Sequence, residues 1–227
     1  MDLHNASLHF LIIDSFLKRG SAPSIQELAE RFDVDSDSIR SALRNLQDYH
    51  GVVLHPHNQE IWVAHPFSTV PTGFLVRSNH REWWGNCAWC SLGVAALAGS
   101  VATITTCPGF DRSTVEILIE DGDLKDRDFV VHFPTPMAKA WDNVIATCAM
   151  MLLFDDEAHV DEWCAKHNKP KGDVRPLAQI WHFAKEWYGR HADRDWKKWS
   201  ANEATALFAR HGLDGPIWEI ETQNERF

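Results

Sequence analysis

Residues 90–98 read CSLGVAALA, a run without a single charge. A helix that is small and apolar on every side is a buried one, so the rest of the chain has to be arranged around it. With 227 residues, the chain is long enough to do this as one large domain or two small ones. Its 44% apolar and 24% charged residues are those of an ordinary globular protein, which excludes disordered and fibrous classes. No apolar run approaches the roughly 18 residues of a membrane span. The opening stretch, MDLHNASLHFLII, lacks a basic start and runs into Asp14, so no signal peptide is expected.

The first 65 residues read as a compact helical module. Leu8, Leu11, Ile12 and Phe16 fall at helical spacing, and Gly20 closes that helix. Ser24 and Glu27 form a capping box ahead of the apolar stripe Ile25, Leu28 and Phe32. Asp35 or Ser36 can cap a third helix that buries Ile39, Leu43 and Leu46. Val52-Val53-Leu54 and Ile61-Trp62-Val63 then flank a polar turn, as in a β-hairpin. Three helices followed by a hairpin form a winged-helix-like pattern. Residues 1–50 nevertheless hold five Lys/Arg against eight Asp/Glu, and the whole chain carries a formal charge of −10. Binding phosphates needs a basic face, so no nucleic-acid partner and no anionic-membrane partner is expected.

The body, residues 66–227, is expected to mix sheet and helix, giving an α+β chain overall. Residues 74–76, 101–106, 114–120 and 129–133 read as strands, with Asp121-Gly122-Asp123 as turn chemistry. The apolar run 150–154 reads as a buried strand. Helices are expected near 159–167, 177–191 and 202–211, the last behind the capping box Ser200–Glu203. Five of the eleven tryptophans, Trp181, Trp187, Trp196, Trp199 and Trp218, fall in this tail and read as core and lid packing.

The five cysteines are Cys87, Cys90, Cys107, Cys148 and Cys164. An odd number without an export signal fits free thiols in a reducing cytoplasm. Cys87-Ala-Trp-Cys90 is a C-x-x-C, but a thioredoxin-type βαβ layout does not surround it. A structural zinc site would call for a second ligand pair, although Cys87, Cys90, Cys107 and Cys148 could converge. The remaining reading is a reactive thiol at Cys90, where a helix N-terminus stabilises a thiolate. Cys164, on the amphipathic EWCAKH stretch, reads as an inert buried thiol.

From about residue 64 to 167 the sequence resembles the alkylmercury lyase (organomercurial lyase) family. The residues that carry the resemblance are Ala64-His65-Pro66-Phe67-Ser68, Cys87-Ala88-Trp89-Cys90-Ser91-Leu92, Ile104-Thr105-Thr106-Cys107, and Thr147-Cys148-Ala149-Met150, leading to Asp161-Glu162-Trp163 and Lys166-His167. The resemblance implies a winged-helix-like head fused to a catalytic body. It also implies that Cys90 and Cys148 are the catalytic and mercury-binding pair, with Cys107 structural. The family's catalytic aspartate belongs three residues after the first cysteine, where this chain has Gly93.

The chemistry this implies is cofactor-free. Hg(II) is soft, and two thiolates are the soft ligands that draw electron density toward it. The carbon then leaves on protonation, which is general-acid work. Cellular thiols would carry off the inorganic product. With Gly93 in place of the acid, the proton could come from Cys90 or Cys148, from Cys87, which could instead supply a third ligand, or from Asp142 or Asp155, and Gly93→Asp would be expected to restore or raise activity provided the helix is placed as in the family. Two other classes fit the same residues. One is a homologue that only binds Hg(II) or another soft metal, and the other is a diverged thiol-dependent enzyme acting on a small hydrophobic substrate, with Trp83, Trp84 and Trp89 about its pocket. A metal-sensing regulator is disfavoured by the acidic third helix.

Overall fold

A computed structural model of the chain describes residues 2–125 and 128–223. The N-terminal part folds as read. Helix α1 (Asn5–Arg19) ends at Gly20, whose φ of 79° suits a residue without a Cβ. Helix α2 (Ile25–Phe32) starts at the Ser24–Glu27 capping box, and α3 (Ser36–Tyr49) is capped by the Asp35 side chain. Strands β1 (Val53–Leu54) and β2 (Ile61–Ala64) pair as the expected hairpin.

The hairpin does not stop at the head. Strand β2 pairs with β3 (Phe67–Ser68), which pairs with β5 (Arg81–Gly85). β4 (Leu75–Ser78), β6 (Ala102–Thr106), β7 (Val115–Glu120) and β8 (Asp123–Leu124) complete an eight-stranded antiparallel sheet of order β1-β2-β3-β5-β4-β6-β7-β8. Head and body thus share one sheet and one hydrophobic core. At the seam, Trp83 Nε1 donates to Phe16 O at 2.6 Å, and the Phe16 and Phe67 rings stack 4.8 Å apart. Truncating a buried phenylalanine of this kind costs about 3–5 kcal/mol, so the seam is a structural bond between the two parts.

The apolar helix is α4 (Ala88–Ala98), and it runs between the sheet on one side and α8 (Leu177–Tyr188) on the other. That position accounts for its lack of a polar face. Two glycines permit the close approach. A Cβ on Gly85 would meet the Ser91 backbone at 2.6 Å, and one on Gly93 would meet the Tyr188 ring at 2.3 Å. Asp121 and Gly122 both have positive φ and form the two-residue turn joining β7 to β8.

A second sheet, β10-β9-β11, is built from β9 (Val130–Phe133), β10 (Leu153–Phe154) and β11 (Asp173–Pro176). Between β9 and β10 lie α5 (Met137–Ala140) and α6 (Val144–Met150). The run 150–154 is therefore not one strand: Met150 closes a helix, and only Leu153 and Phe154 pair. A short apolar run has no period that separates helix from strand, and here the Asn143 side chain, accepting from Ala146 N at 3.0 Å, starts a helix just upstream. Helices α7 (Glu157–His167) and α9 (Ala201–Arg210) sit close to their expected bounds, α9 behind its capping box. Trp181, Trp187, Trp196 and Trp218 are buried, and Trp187 stacks on Phe208. Among the described residues, no helix is long and apolar enough to cross a membrane.

Candidate functional site: a buried three-thiol cluster

The cluster forms where α4 begins and α6 ends. Cys87 is the N-cap of α4, in extended backbone, and its sulfur accepts from Cys90 N at 3.4 Å. Cys90 sits one turn inside the helix. Cys148 comes from the last turns of α6, which is tied to α4 by the backbone bond from Ala88 N to Met151 O at 3.0 Å. Three sulfurs, those of Cys87, Cys90 and Cys148, all lie within 4.8 Å of one another, and all three residues are buried. Cys87 Sγ also lies 3.5 Å from the thioether of Met151.

Two further side chains touch Cys90. Its sulfur is 3.6 Å from His65 Nδ1 and 3.5 Å from Tyr188 Oη. Burial alone would keep Cys90 protonated. The thiols of Cys148 and Cys87, together with His65, outweigh burial and hold Cys90 well below the ordinary thiol range. Cys148 moves the other way, pushed up by its contacts with Cys87 and Cys90 and then by burial, and burial pushes Cys87 up as well. Within the cluster Cys90 is thus the sulfur most readily ionised, while Cys87 and Cys148 hold their protons more tightly. Burial, and then the Cys90 sulfur, raise the Tyr188 phenol, which stays protonated and can donate to Cys90 or accept from it.

Of the sequence-derived candidates, Cys90 and Cys148 are brought together and Cys87 joins them. Cys107 and Cys164 stand apart: Cys107 Sγ donates to Arg112 O, and Cys164 Sγ lies 3.9 Å from His132 Nε2. Asp155 is an exposed partner of Arg112 and His159, and Asp142 is exposed on the rim of a cavity beside His65. The open space next to the thiols is a cavity of about 260 Å³ that reaches Cys148 between Trp62, Phe74, Phe110 and Ile145. Trp83 and Trp89 pack into the core instead, Trp89 stacking on Phe183.

The space beside Gly93 is filled. The Tyr188 ring lies where any side chain at position 93 would start, so Gly93 and Tyr188 form a matched pair. An aspartate at position 93 would require this ring to shift. Tyr188 is 98 positions from Cys90, and no local pattern marks it. His65 belongs to the Ala64–Ser68 segment that carries the resemblance, but its contact with sulfur depends on the packing of β3 against α4.

Three buried thiols converging in an α+β fold make a cluster that could hold a soft metal ion. A profile of the alkylmercury lyase family matches residues 67–189, more than half of the chain, and this protein belongs to that family. A solved structure described as the mercury-bound form of MerB2 superposes with a TM-score of 0.67 at 18% identity, over 82% of this chain and 90% of that one. This likeness extends the shared fold to most of the chain. No curated protein sequence matches it.

Proposed function

We propose that the chain cleaves the carbon–mercury bond of small organomercurials, with Cys90 and Cys148 as the catalytic and mercury-binding pair and no resident cofactor. The observation that carries this reading is geometric: the buried sulfurs of Cys90 and Cys148 lie within 4.8 Å of each other, with Cys90 shifted toward the thiolate and Cys148 toward the protonated thiol. The substrate enters by the cavity that ends on Cys148, its organic group against Trp62, Phe74 and Phe110.

The steps balance without an outside acid. The Cys90 thiolate takes the R–Hg⁺ centre from a small-thiol adduct, forming a sulfur–mercury bond and releasing that thiolate. Cys148 then binds the same mercury, and its proton passes to the carbon as the carbon–mercury bond breaks, giving R–H and Hg(II) on two thiolates. The Tyr188 hydroxyl and His65 are positioning residues that hold the Cys90 sulfur and its charge in place. Cellular thiols finally exchange the Hg(II) away. The head serves as a structural module packed on this body, in a cytoplasmic protein.

The test is headspace detection of methane or benzene from reduced protein given methylmercury or phenylmercury with excess small thiol. Gas at many equivalents per chain, absent with Cys90→Ser, supports cleavage. Mercury bound at one equivalent with no gas would overturn it in favour of capture alone.

A further inference from the structure

Cleavage as written uses two sulfurs, and the cluster has three. Three atoms no more than 4.8 Å apart share a centre no more than about 2.8 Å from each, against about 2.3 Å for a zinc–thiolate bond. A contraction of about half an ångström, within the reach of side-chain rotation at Cys148, would close a three-sulfur site.

Charge decides what fits. A buried, uncompensated charge is expensive, so the favoured occupant is the one whose complex with three thiolates is neutral. Three thiolates with Cu(I) leave −2, and with a divalent ion −1. A trivalent soft centre leaves zero. The way in favours the same species, because the cavity ending on Cys148 is lined by Trp62, Phe74, Phe110 and Leu152, and a neutral molecule crosses such a lining at the lowest desolvation cost.

From this geometry we infer a second activity, independent of carbon–mercury cleavage: Cys87, Cys90 and Cys148 bind trivalent arsenic, taken up as As(OH)₃, in a neutral three-thiolate complex. Three arsenic–oxygen bonds break and three arsenic–sulfur bonds form. The protons of Cys87 and Cys148 leave with two of the oxygens as water, and the third departs as hydroxide to solvent. Arsenic stays trivalent, so no oxidant or reductant is needed. To take part, Cys87 gives up its contact with Met151, while its sulfur can go on accepting from Cys90 N.

The experiment is titration of the reduced full-length protein with sodium arsenite, followed by arsenic–sulfur charge-transfer absorption and by X-ray absorption counting of sulfur neighbours. One arsenic per chain with three sulfur neighbours is expected. Cys87→Ala should drop the count to two sulfurs and weaken binding by roughly a hundredfold, the scale of one lost tethered contact, while Cys164→Ala should change neither. Near-UV circular dichroism of the tryptophans checks that the variants are folded, and the count in the unaltered protein does not depend on them. Two sulfurs in the unaltered protein, equal affinity in Cys87→Ala, or no binding would each overturn the inference. A protein that binds arsenic but releases no gas would refute the cleavage reading and leave this one intact.

Discussion

Two buried clusters of titratable groups lie close together in this molecule, and burial disfavours charge in both with opposite outcomes. In the thiol cluster the neighbouring thiols and His65 outweigh burial and favour the charged form of Cys90. In the seam where α1 meets the C-terminal part, His9 stacks 3.6 Å from Trp196, and His191 packs edge-on 5.6 Å from His9. Neither ring nitrogen of His9 has a hydrogen-bond partner among the described residues, nor has Nδ1 of His191. Burial therefore forces both rings neutral: it drives His9 well below its ordinary value, with His191 adding to the effect, and takes His191 down to about 3. The lesson is that depth does not set the charge; the neighbours do. The two clusters meet at Tyr188, whose hydroxyl faces Cys90 and whose ring packs against His191.

The largest expected effect comes from breaking the thiol cluster. Cys148→Ser should lower gas release by ~10³-fold or more, because it removes both the second mercury ligand and the proton. Retention of turnover within tenfold would separate Cys148 from the chemistry. Next is the contact at position 93. Gly93→Asp should destabilise the fold by about 1–3 kcal/mol through overpacking against Tyr188, and by clearly less when introduced into a Tyr188→Ala background, both costs read from urea unfolding. Equal costs in the two backgrounds would show that the ring does not set the residue at 93.

Tyr188→Phe sharpens the charge argument. Losing the hydroxyl 3.5 Å from the Cys90 sulfur should raise the Cys90 pKa, because a donor beside a thiolate favours its charged form. The midpoint of iodoacetamide alkylation at Cys90, followed against pH by mass spectrometry, should move up accordingly, and an unmoved midpoint would remove Tyr188 from the thiolate's support.

The seam makes a pH prediction with a definite sign. His9 and His191 have folded values depressed below the ordinary 6.5, so they contribute stability that is fully present above about 6.5. It is lost as pH falls from there toward 3, because the unfolded chain binds the protons first. Urea midpoints should fall between pH 7.5 and 5, and His191→Phe should flatten that slope; a slope unchanged by the variant would place the acid sensitivity elsewhere. The smallest effect belongs to Asp155→Asn, an exposed partner of Arg112, expected to change stability by less than about 1 kcal/mol and turnover not at all. A clear loss of gas release there would return Asp155 to the list of proton donors.

What was legible in the sequence was what neighbours along the chain decide. The capping boxes at Ser24 and Ser200, the left-handed stop at Gly20, the hairpin ahead of His65 and the buried character of α4 depend on residues within a few positions of each other. The pairing of Cys90 with Cys148 was also legible, through the resemblance of the segments that hold them. The run 150–154 was misread because an apolar stretch is equally at home in a buried helix and a buried strand. The site's remaining parts lay beyond local pattern. A C-x-x-C permits Cys87 to face Cys90, but only the seating of α6 beside the start of α4 makes it one of three sulfurs. Gly93 read alone is an absent acid. With α8 packed on α4 it is the gap that a tyrosine ring fills, because a side-chain volume is shared between elements that only tertiary packing brings within contact.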